Sequence, residues 1–305
     1  MGKIWWRLLA IILLWLPACL CVKYDIVKYD IKEIGSLVQA QAELDKADQQ
    51  TLVVFDVDET LINPTDTALQ LLWQPDAFAK EDIQFMVRLK AKLQNCLVAK
   101  YGPGAGEIMR KIWSQQLLKS SYVPVEPNTI KVVKKLQKRG IKVIALTGVR
   151  PGLRGDIVSL QQWRFNELKK LDIDLSEAFA FKEMWLDELP CNEGYHPMYF
   201  HGILLATYTN SKGKVLDAFL NHCGWRPQKI LFFDDRKDYV EGVVHAMRAR
   251  GIECRGYWYC ASMRQKPKLK HDIVQIQFDY LMHHGRVISE QEAIALMHKS
   301  ASKTG

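Results

Sequence analysis

Three short apolar runs in this chain each stop at residues that a buried strand does not ordinarily carry. Leu52 to Phe55 leads into Asp56-Val-Asp58-Glu-Thr60, Val143 to Leu146 into Thr147-Gly148, and Ile230 to Phe233 into Asp234-Asp235. Short apolar runs, partly β-branched or aromatic and followed by loop chemistry, read as strands of a packed sheet. With helical stretches between them they predict an open α/β sheet. Such sheets place their ligand sites beyond the carboxyl ends of the strands.

Side chains alternate along a strand, but beyond its end a loop can turn Asp56 and Asp58 toward one point. Two anions at one point repel unless a cation or a shared proton holds them. A hard divalent cation such as Mg²⁺ accepts carboxylate oxygens and fits that need. The competing reading is an ordinary strand followed by an acidic turn, and the same alternative holds for Asp234-Asp235 taken alone.

The rest of the chain supplies the helices. Ile34 to Ala47 reads as a helix feeding the first strand. From about residue 63 to 121 apolar residues recur at three- and four-residue steps, with Tyr101-Gly-Pro-Gly104 as a break. This segment is either an insert over the strand ends or a set of helices packed on the sheet. Glu126-Pro127-Asn128 opens another helix, stopped by Gly140, and a further helix runs from about Asp156 to Leu171. Residues 178–209 contain strands interrupted by Gly202, as a hairpin or a bulge. Lys212-Gly213 opens a helical stretch through Leu220, another follows over about Val240 to Arg250, and a last strand lies near Gly256 to Tyr259. Ser289-Glu-Gln-Glu292 is a capping box that starts a C-terminal helix.

Read in order, Asp-x-Asp-x-Thr, Thr-Gly, Lys-Gly and Asp-Asp form a set that resembles the haloacid dehalogenase (HAD) superfamily of phosphotransferases, over about residues 50–260. Lys-Gly, Phe-Phe-Asp-Asp and the later Gly251-Ile-x-Cys254-x-Gly256-Tyr257 look closer to exported bacterial HAD-like proteins, and secreted acid phosphatases are more distant. The resemblance implies a three-layer, Rossmann-like HAD domain over residues 22–305, with a mainly parallel sheet and a helical cap-type insert at about 63–121.

The resemblance also assigns roles. Asp56 is the nucleophile that takes the phosphoryl group, and Asp58 protonates the leaving oxygen and then activates water. Phosphatases of the superfamily carry an acid at this second position and dehalogenases do not; phosphomutases share it. Mg²⁺ is held by the Asp56 side chain, the Asp58 main-chain carbonyl and Asp234, with Asp235 orienting the shell or ligating through water. Thr147 binds a phosphoryl oxygen, with Gly148 allowing close approach of the backbone. Lys212 neutralises charge on the transferring group, with Lys214 as its rival. Asp238 is a possible further acid. Arg150 is either a substrate contact or an exposed loop residue. His201, His222, His283 and His284 have no evident partner in the sequence. The expected activity is Mg²⁺-dependent phosphomonoester hydrolysis. The alternatives are transfer to an acceptor other than water and a non-catalytic surface protein on the same scaffold.

The first 21 residues form a separate unit. Lys3 and Arg7 precede the apolar Leu8 to Leu16, followed by Pro17-Ala18-Cys19. This is the pattern of a secretory signal peptide, and nine apolar residues are too few to span a bilayer. An uncleaved anchor is the runner-up, and Leu16-Pro-Ala-Cys19 also resembles a lipoprotein cleavage box with Cys19 as the lipidated residue. Any of these places the protein outside the cytoplasm, in the periplasm or envelope if it is bacterial. Of seven cysteines, five follow residue 21: Cys96, Cys191, Cys223, Cys254 and Cys260. Cys254 and Cys260 are near enough in sequence to bridge, while buried thiols are the alternative. The formal net charge of +8 suits anionic substrates or headgroups, but no basic strip interleaved with aromatics argues for nucleic acid. The partners expected are a small phosphorylated substrate and, through the N-terminal segment or a lipidated Cys19, a membrane.

Overall fold

A computed structural model describes residues 31–73, 75–265 and 267–301. The leader, anchor and lipidation alternatives at residues 1–21 lie outside the described residues. The described strands are β1 (Ile31–Ile34), β2 (Thr51–Phe55), β3 (Ile62–Pro64), β4 (Tyr122–Pro124), β5 (Lys142–Thr147), β6 (Glu183–Trp185), β7 (Met198–Phe200), β8 (Ile203–Leu205), β9 (Lys229–Asp234) and β10 (Glu253–Tyr259). The helices are α1 (Gln41–Lys46), α2 (Thr67–Trp73), α3 (Lys80–Tyr101), α4 (Ala105–Lys119), α5 (Thr129–Lys138), α6 (Leu160–Lys170), α7 (Lys212–His222), α8 (Lys237–Ala249), α9 (Ala261–Arg264), α10 (His271–His284) and α11 (Glu290–Ala301).

Eight strands form one sheet in the order β1-β10-β9-β2-β5-β8-β7-β6. The first five pairings are parallel; β8-β7 and β7-β6 are antiparallel. The protein is therefore α/β, with a mostly parallel central sheet. Strand alternation divides the core between two faces. Val53 and Phe55 pack with Leu44 of α1, Leu136 of α5 and Leu168 of α6, whereas Leu52 and Val54 pack with Phe219 of α7 and Val244 of α8. Each such side chain contributes about 1.5–3 kcal/mol by leaving water.

The segment after β2 does not join this sheet. Antiparallel β3 and β4 form a separate two-stranded ribbon, and α2, α3 and α4 lie between them in the chain. These helices build their own apolar clusters with α10, through residues such as Met86, Leu89, Leu93, Val274 and Leu281. The helical layer is thus made from two distant stretches of chain, and α10 enters it from beyond β10. α11 packs on α10 through Ile273, Ile288 and Ala293.

Several local expectations need correction. The helix expected over Ile34 to Ala47 begins instead as strand: Ile34 ends β1 opposite Tyr259, and only Gln41–Lys46 is α-helical. Pairing with the edge of the sheet outweighs local helix propensity there. The final strand is longer than Gly256 to Tyr259 and begins at Glu253. The helix expected from Asp156 starts at Leu160, where Ser159 caps it by accepting from Gln162 N at 3.2 Å. Gly202 makes a hairpin rather than a bulge, since β7 and β8 pair antiparallel around it. Its φ is +89°, and a Cβ there would collide with the Leu175 carbonyl, so glycine is required. The capping box forms as expected: Glu292 N donates to Ser289 Oγ at 3.1 Å and Ser289 N to Glu292 Oε2 at 2.8 Å.

Candidate functional site

β9, β2 and β5 are neighbours at the middle of the sheet and run parallel. Phe55 lies level with Phe233 and Ala145, so the residues that follow emerge side by side. Asp56 N donates to Phe233 O at 2.8 Å, which extends this pairing one residue beyond β2. α7 supplies the cation. Ser211 caps it by accepting from Lys214 N at 3.3 Å, and Lys212, its first residue, points into the site. Lys212 Nζ donates to Asp56 Oδ1 at 2.5 Å and to Asp234 Oδ2 at 2.7 Å. All three side chains are buried. Burial opposes the Lys212 charge, but the Asp234 and Asp56 carboxylates outweigh it and hold its pKa above the ordinary value. Burial pushes Asp234 well up, against the pull of Lys212. Its other oxygen accepts from Arg236 N at 2.9 Å.

A second pair of acids adjoins this triad. Glu59 is buried in the left-handed region at φ +65°, which is costly for a residue with a side chain. Burial and then the neighbouring Asp235 push its carboxyl up to about 10. Asp235 is itself pushed up to about 6, by burial first and then by Asp56. Burial and the nearby Asp235 thus both favour the protonated form of Glu59.

Asp56, Asp234 and Asp235 each offer a carboxylate oxygen within 4.8 Å of the others. Three all-oxygen acidic donors, two of them with pKa values raised by burial and by neighbouring carboxylates, are a donor set suited to a hard cation such as Mg²⁺. The Asp58 side chain is not part of it. Instead, Arg164 of α6 lies 2.7 Å from Asp58 Oδ1 and donates to Asp58 Oδ2 at 3.0 Å. Burial raises the Asp58 pKa, Arg164 opposes that rise, and Asp56 adds to it. Arg164 is 1 % exposed, and its Nε and Nη1 have no hydrogen-bond partner among the described residues.

These residues open onto a cleft of about 410 Å³, whose lining includes Asp56, Asp58, Thr147, Gly148, Arg154, Lys212, Arg236 and Tyr239. Thr147 is buried at the end of β5, and its Oγ1 accepts from Val149 N at 3.3 Å. A Cβ at Gly148 would meet no atom of the described residues beyond its chain neighbours within 4 Å, so glycine there keeps open space in the cleft. The insert reaches the same cleft through Leu72, Trp113 and Leu117.

The structure brings together Asp56, Asp58, Thr147, Gly148, Lys212, Asp234 and Asp235. Of the two lysines, Lys212 is buried against Asp56 and Asp234, whereas Lys214 is exposed. Asp238 stays outside the cluster, exposed and paired with Arg236 at 2.7 Å. Arg150 is not an exposed loop residue: it is buried and donates to Pro151 O, Leu153 O and Glu193 Oε2 at 2.9, 2.8 and 2.6 Å. His222 has a partner, Glu188, at 2.9 Å, and His283 Nδ1 lies 2.7 Å from Asp279 O. Cys254 and Cys260 do not bridge; the five cysteines among the described residues are free. Sequence reasoning missed Arg164 and Glu59. The available signals were an arginine on the apolar stripe of α6 beside Leu160, Trp163 and Leu168, and an unbroken Asp-Glu-Thr in the first motif.

Fold and site together define an α/β protein with a buried carboxylate–lysine cluster at the carboxyl ends of three central parallel strands. The chain belongs to the family described as protein of unknown function (DUF2608), whose model matches residues 29–294. It is 23% identical over 265 residues to a "Putative outer membrane protein" of Chlamydia pneumoniae, covering 87% of this chain and 88% of that one. It is 20% identical over 262 residues to an uncharacterized protein of Rickettsia prowazekii (strain Madrid E), covering 86% and 88%. No solved structure matches. The haloacid dehalogenase resemblance, including its exported and acid-phosphatase branches, is corrected by this result. The matching family is a different one, and neither relative carries a dehalogenase or phosphatase name. Each motif is only two to five residues long; acids and Thr-Gly suit the loops at any parallel strand end, and Lys-Gly suits the start of any closely packed helix.

Proposed function

We propose that this protein is a Mg²⁺-dependent phosphomonoester hydrolase that works through an aspartyl-phosphate on Asp56, on a doubly wound, Rossmann-like sheet. The observation that carries this reading is the placement of Asp56. It is a buried carboxylate within 2.5 Å of the Lys212 ammonium, next to two further acids, at the floor of an open cleft.

In this reading an Asp56 oxygen attacks phosphorus, the ester P–O bond breaks, and Asp58 passes its proton to the leaving oxygen. Asp58 then takes a proton from water, and that water's oxygen attacks phosphorus. The acyl-phosphate bond breaks, inorganic phosphate departs, and Asp56 is restored. Burial favours the protonated Asp58 that the first half requires, and Arg164 favours the carboxylate that the second half requires. Lys212, Arg154 and Arg236 supply positive charge around the phosphoryl oxygens. Mg²⁺ held by Asp56, Asp234 and Asp235 would neutralise developing charge on the transferring group.

Work in the cell envelope or beyond the cytoplasm is supported by the basic-then-apolar start of the chain and by the printed name of the Chlamydia relative. No described helix is long and apolar enough to cross a membrane.

The test is phosphate release from an aryl phosphate, with Mg²⁺ and with chelator, beside Asp56→Asn. Metal-dependent release that the variant lacks is the expected result. A second reading is a non-catalytic binding protein. It is favoured by the closed Asp56–Lys212–Asp234 triad, which balances much of its own charge. Asp56→Asn that keeps the parent's rate would exclude the hydrolase.

A further inference from the structure

The helical layer holds a second, partly open cavity of about 410 Å³, lined by α2, α3, α4 and α10. Its wall is apolar, with Leu93, Leu97, Met109, Ile112, Phe278 and Leu281 among the lining residues. Gln277 is a buried polar side chain in the wall, its amide nitrogen already committed to Asp66 Oδ2 at 2.9 Å and Ile288 O at 3.2 Å, and Gln116 of α4 is a half-buried one. Lys90 and Gln94 are exposed and belong to the rim. The interior therefore suits a hydrocarbon and offers little to a polar ligand.

This cavity adjoins the carboxylate cleft. Leu72 of α2 and Trp113 of α4 line both spaces. Helix α4 turns Met109 and Ile112 to the apolar cavity, Trp113 to both, and Leu117 to the cleft that holds Asp56. The cleft carries Lys212, Arg154 and Arg236, and the cavity beside it is apolar. That polarity matches a molecule with an anionic head and a hydrocarbon chain.

We propose that the apolar cavity takes the hydrocarbon chain of an amphiphilic phosphomonoester whose phosphate lies at Asp56, so that the helical layer selects long-chain phosphates. The inference rests on the phosphoryl reading of the cleft and adds a substrate class to it. The chain passes between Leu72 and Trp113, and the phosphate remains beside Lys212. Both ends of the ligand are then matched, and the half-buried apolar side chains of α4 and α10 are covered.

The experiment is calorimetric titration of the full chain, in Mg²⁺, with butylphosphonate and decylphosphonate below micelle-forming concentrations. Phosphonates resist hydrolysis, so binding is read whether or not turnover occurs. Decylphosphonate is expected to bind at least about tenfold more tightly, since six added methylenes leave water. Ala105→Phe, which narrows the cavity from α4, is expected to shrink that ratio to below about threefold, and Met109→Trp serves the same purpose should the first variant fail to fold. Equal affinity for the two phosphonates overturns the proposal and leaves the cavity to residues 1–30 or a second copy of the chain, while the cleft reading stands. A tenfold gain that survives both variants also overturns it, because the chain then lies elsewhere. Failure of both phosphonates to bind, together with no release from aryl phosphate, removes the phosphoryl reading and this inference with it.

Discussion

Arg164 and Asp58 stand 106 positions apart in the chain, yet the guanidinium lies 2.7 Å from the carboxylate. Helix α6 packs on the sheet through Leu160, Trp163 and Leu168 and so delivers Arg164 to the strand end. Removing Arg164 leaves the half-buried Asp58 without its cation. Arg164→Gln is expected to cost about 3 kcal/mol in urea unfolding. Arg164 opposes the rise in the Asp58 pKa, so its loss raises that pKa further. Asp58 then keeps its proton to higher pH, and the basic limb of the kcat profile moves up. A limb that stays in place in Arg164→Gln excludes Asp58 as the group that titrates.

Asp58→Asn keeps the size of the side chain and removes the transferable proton. Turnover of an alkyl phosphate is expected to fall about 10²–10⁴-fold. A nitrophenyl ester, whose leaving group needs little protonation, is expected to lose less in the first half-reaction. Comparison of the two esters checks the assignment, and equal losses would count against an acid role.

Removal of metal is expected to lower both turnover and stability. At a Mg²⁺ concentration about a hundred times its Kd, binding to the folded chain adds about 2.7 kcal/mol. The corresponding rise in Tm over chelator is expected to vanish in Asp234→Asn, which loses one of the three clustered carboxylates. Identical melting curves with Mg²⁺ and with chelator would contradict the metal assignment.

Gly213 follows Lys212 because α7 and α8 are in close contact there. A Cβ on Gly213 would lie 2.7 Å from Gly242 O and 2.9 Å from Ala246 Cβ. Gly213→Ala is expected to destabilise the chain by about 1–3 kcal/mol through overpacking. It is also expected to slow turnover, because displacement of α7 moves Lys212 away from Asp56. Thermal melts and rates on the same preparation check both effects.

Glu43 of α1 meets Lys229 at 3.1 Å, Arg255 at 3.0 Å and Lys46 at 3.6 Å. The Lys229 hydrogen bond holds its pKa below the ordinary 4.5 despite some desolvation, with Arg255, Lys229 and Lys46 adding charge attraction. A lowered folded pKa means that this stability is present above pH 4.5 and is lost as the pH falls through the folded value. Glu43→Gln is expected to cost about 1 kcal/mol at pH 7 and nothing at the acid end of that window. Denaturation at pH 7 and in strong acid tests the sign.

The cysteines sort by burial. Cys254 is buried and its thiol is pushed up to about 12 by desolvation, whereas Cys96 and Cys191 are exposed. Brief alkylation of the native protein is expected to label Cys96 and Cys191 and to spare Cys254. Mass spectrometry of the digested product reads this directly.

Local chemistry made much of the sheet and its polar ends legible. The runs ending at Asp56, Thr147 and Asp234 are short, apolar and closed by loop residues, which is the signature of buried strands whatever their neighbours. Ser289 and Glu292 announced their capping box because both partners lie within one turn. What could not be read locally were relationships between distant segments. β1 is a strand because β10 lies beside it, although Ile34 to Ala47 has helical periodicity. α10 belongs with α3 and α4 because its apolar face completes theirs, and no periodicity within 271–284 records that partner.

The candidate site divides in the same way. Local sequence marked the strand ends, and with them Asp56, Asp58, Asp234 and Asp235, because those residues follow their strands directly; it did not mark Glu59 and it wrongly offered Asp238. Only the tertiary structure buried Lys212 against Asp56 and Asp234, set Arg164 against Asp58, joined Glu59 to Asp235 and placed Trp113 between two cavities. Those choices depend on burial and on distances of a few ångströms between residues far apart in the chain, and both come into existence only when the layers pack.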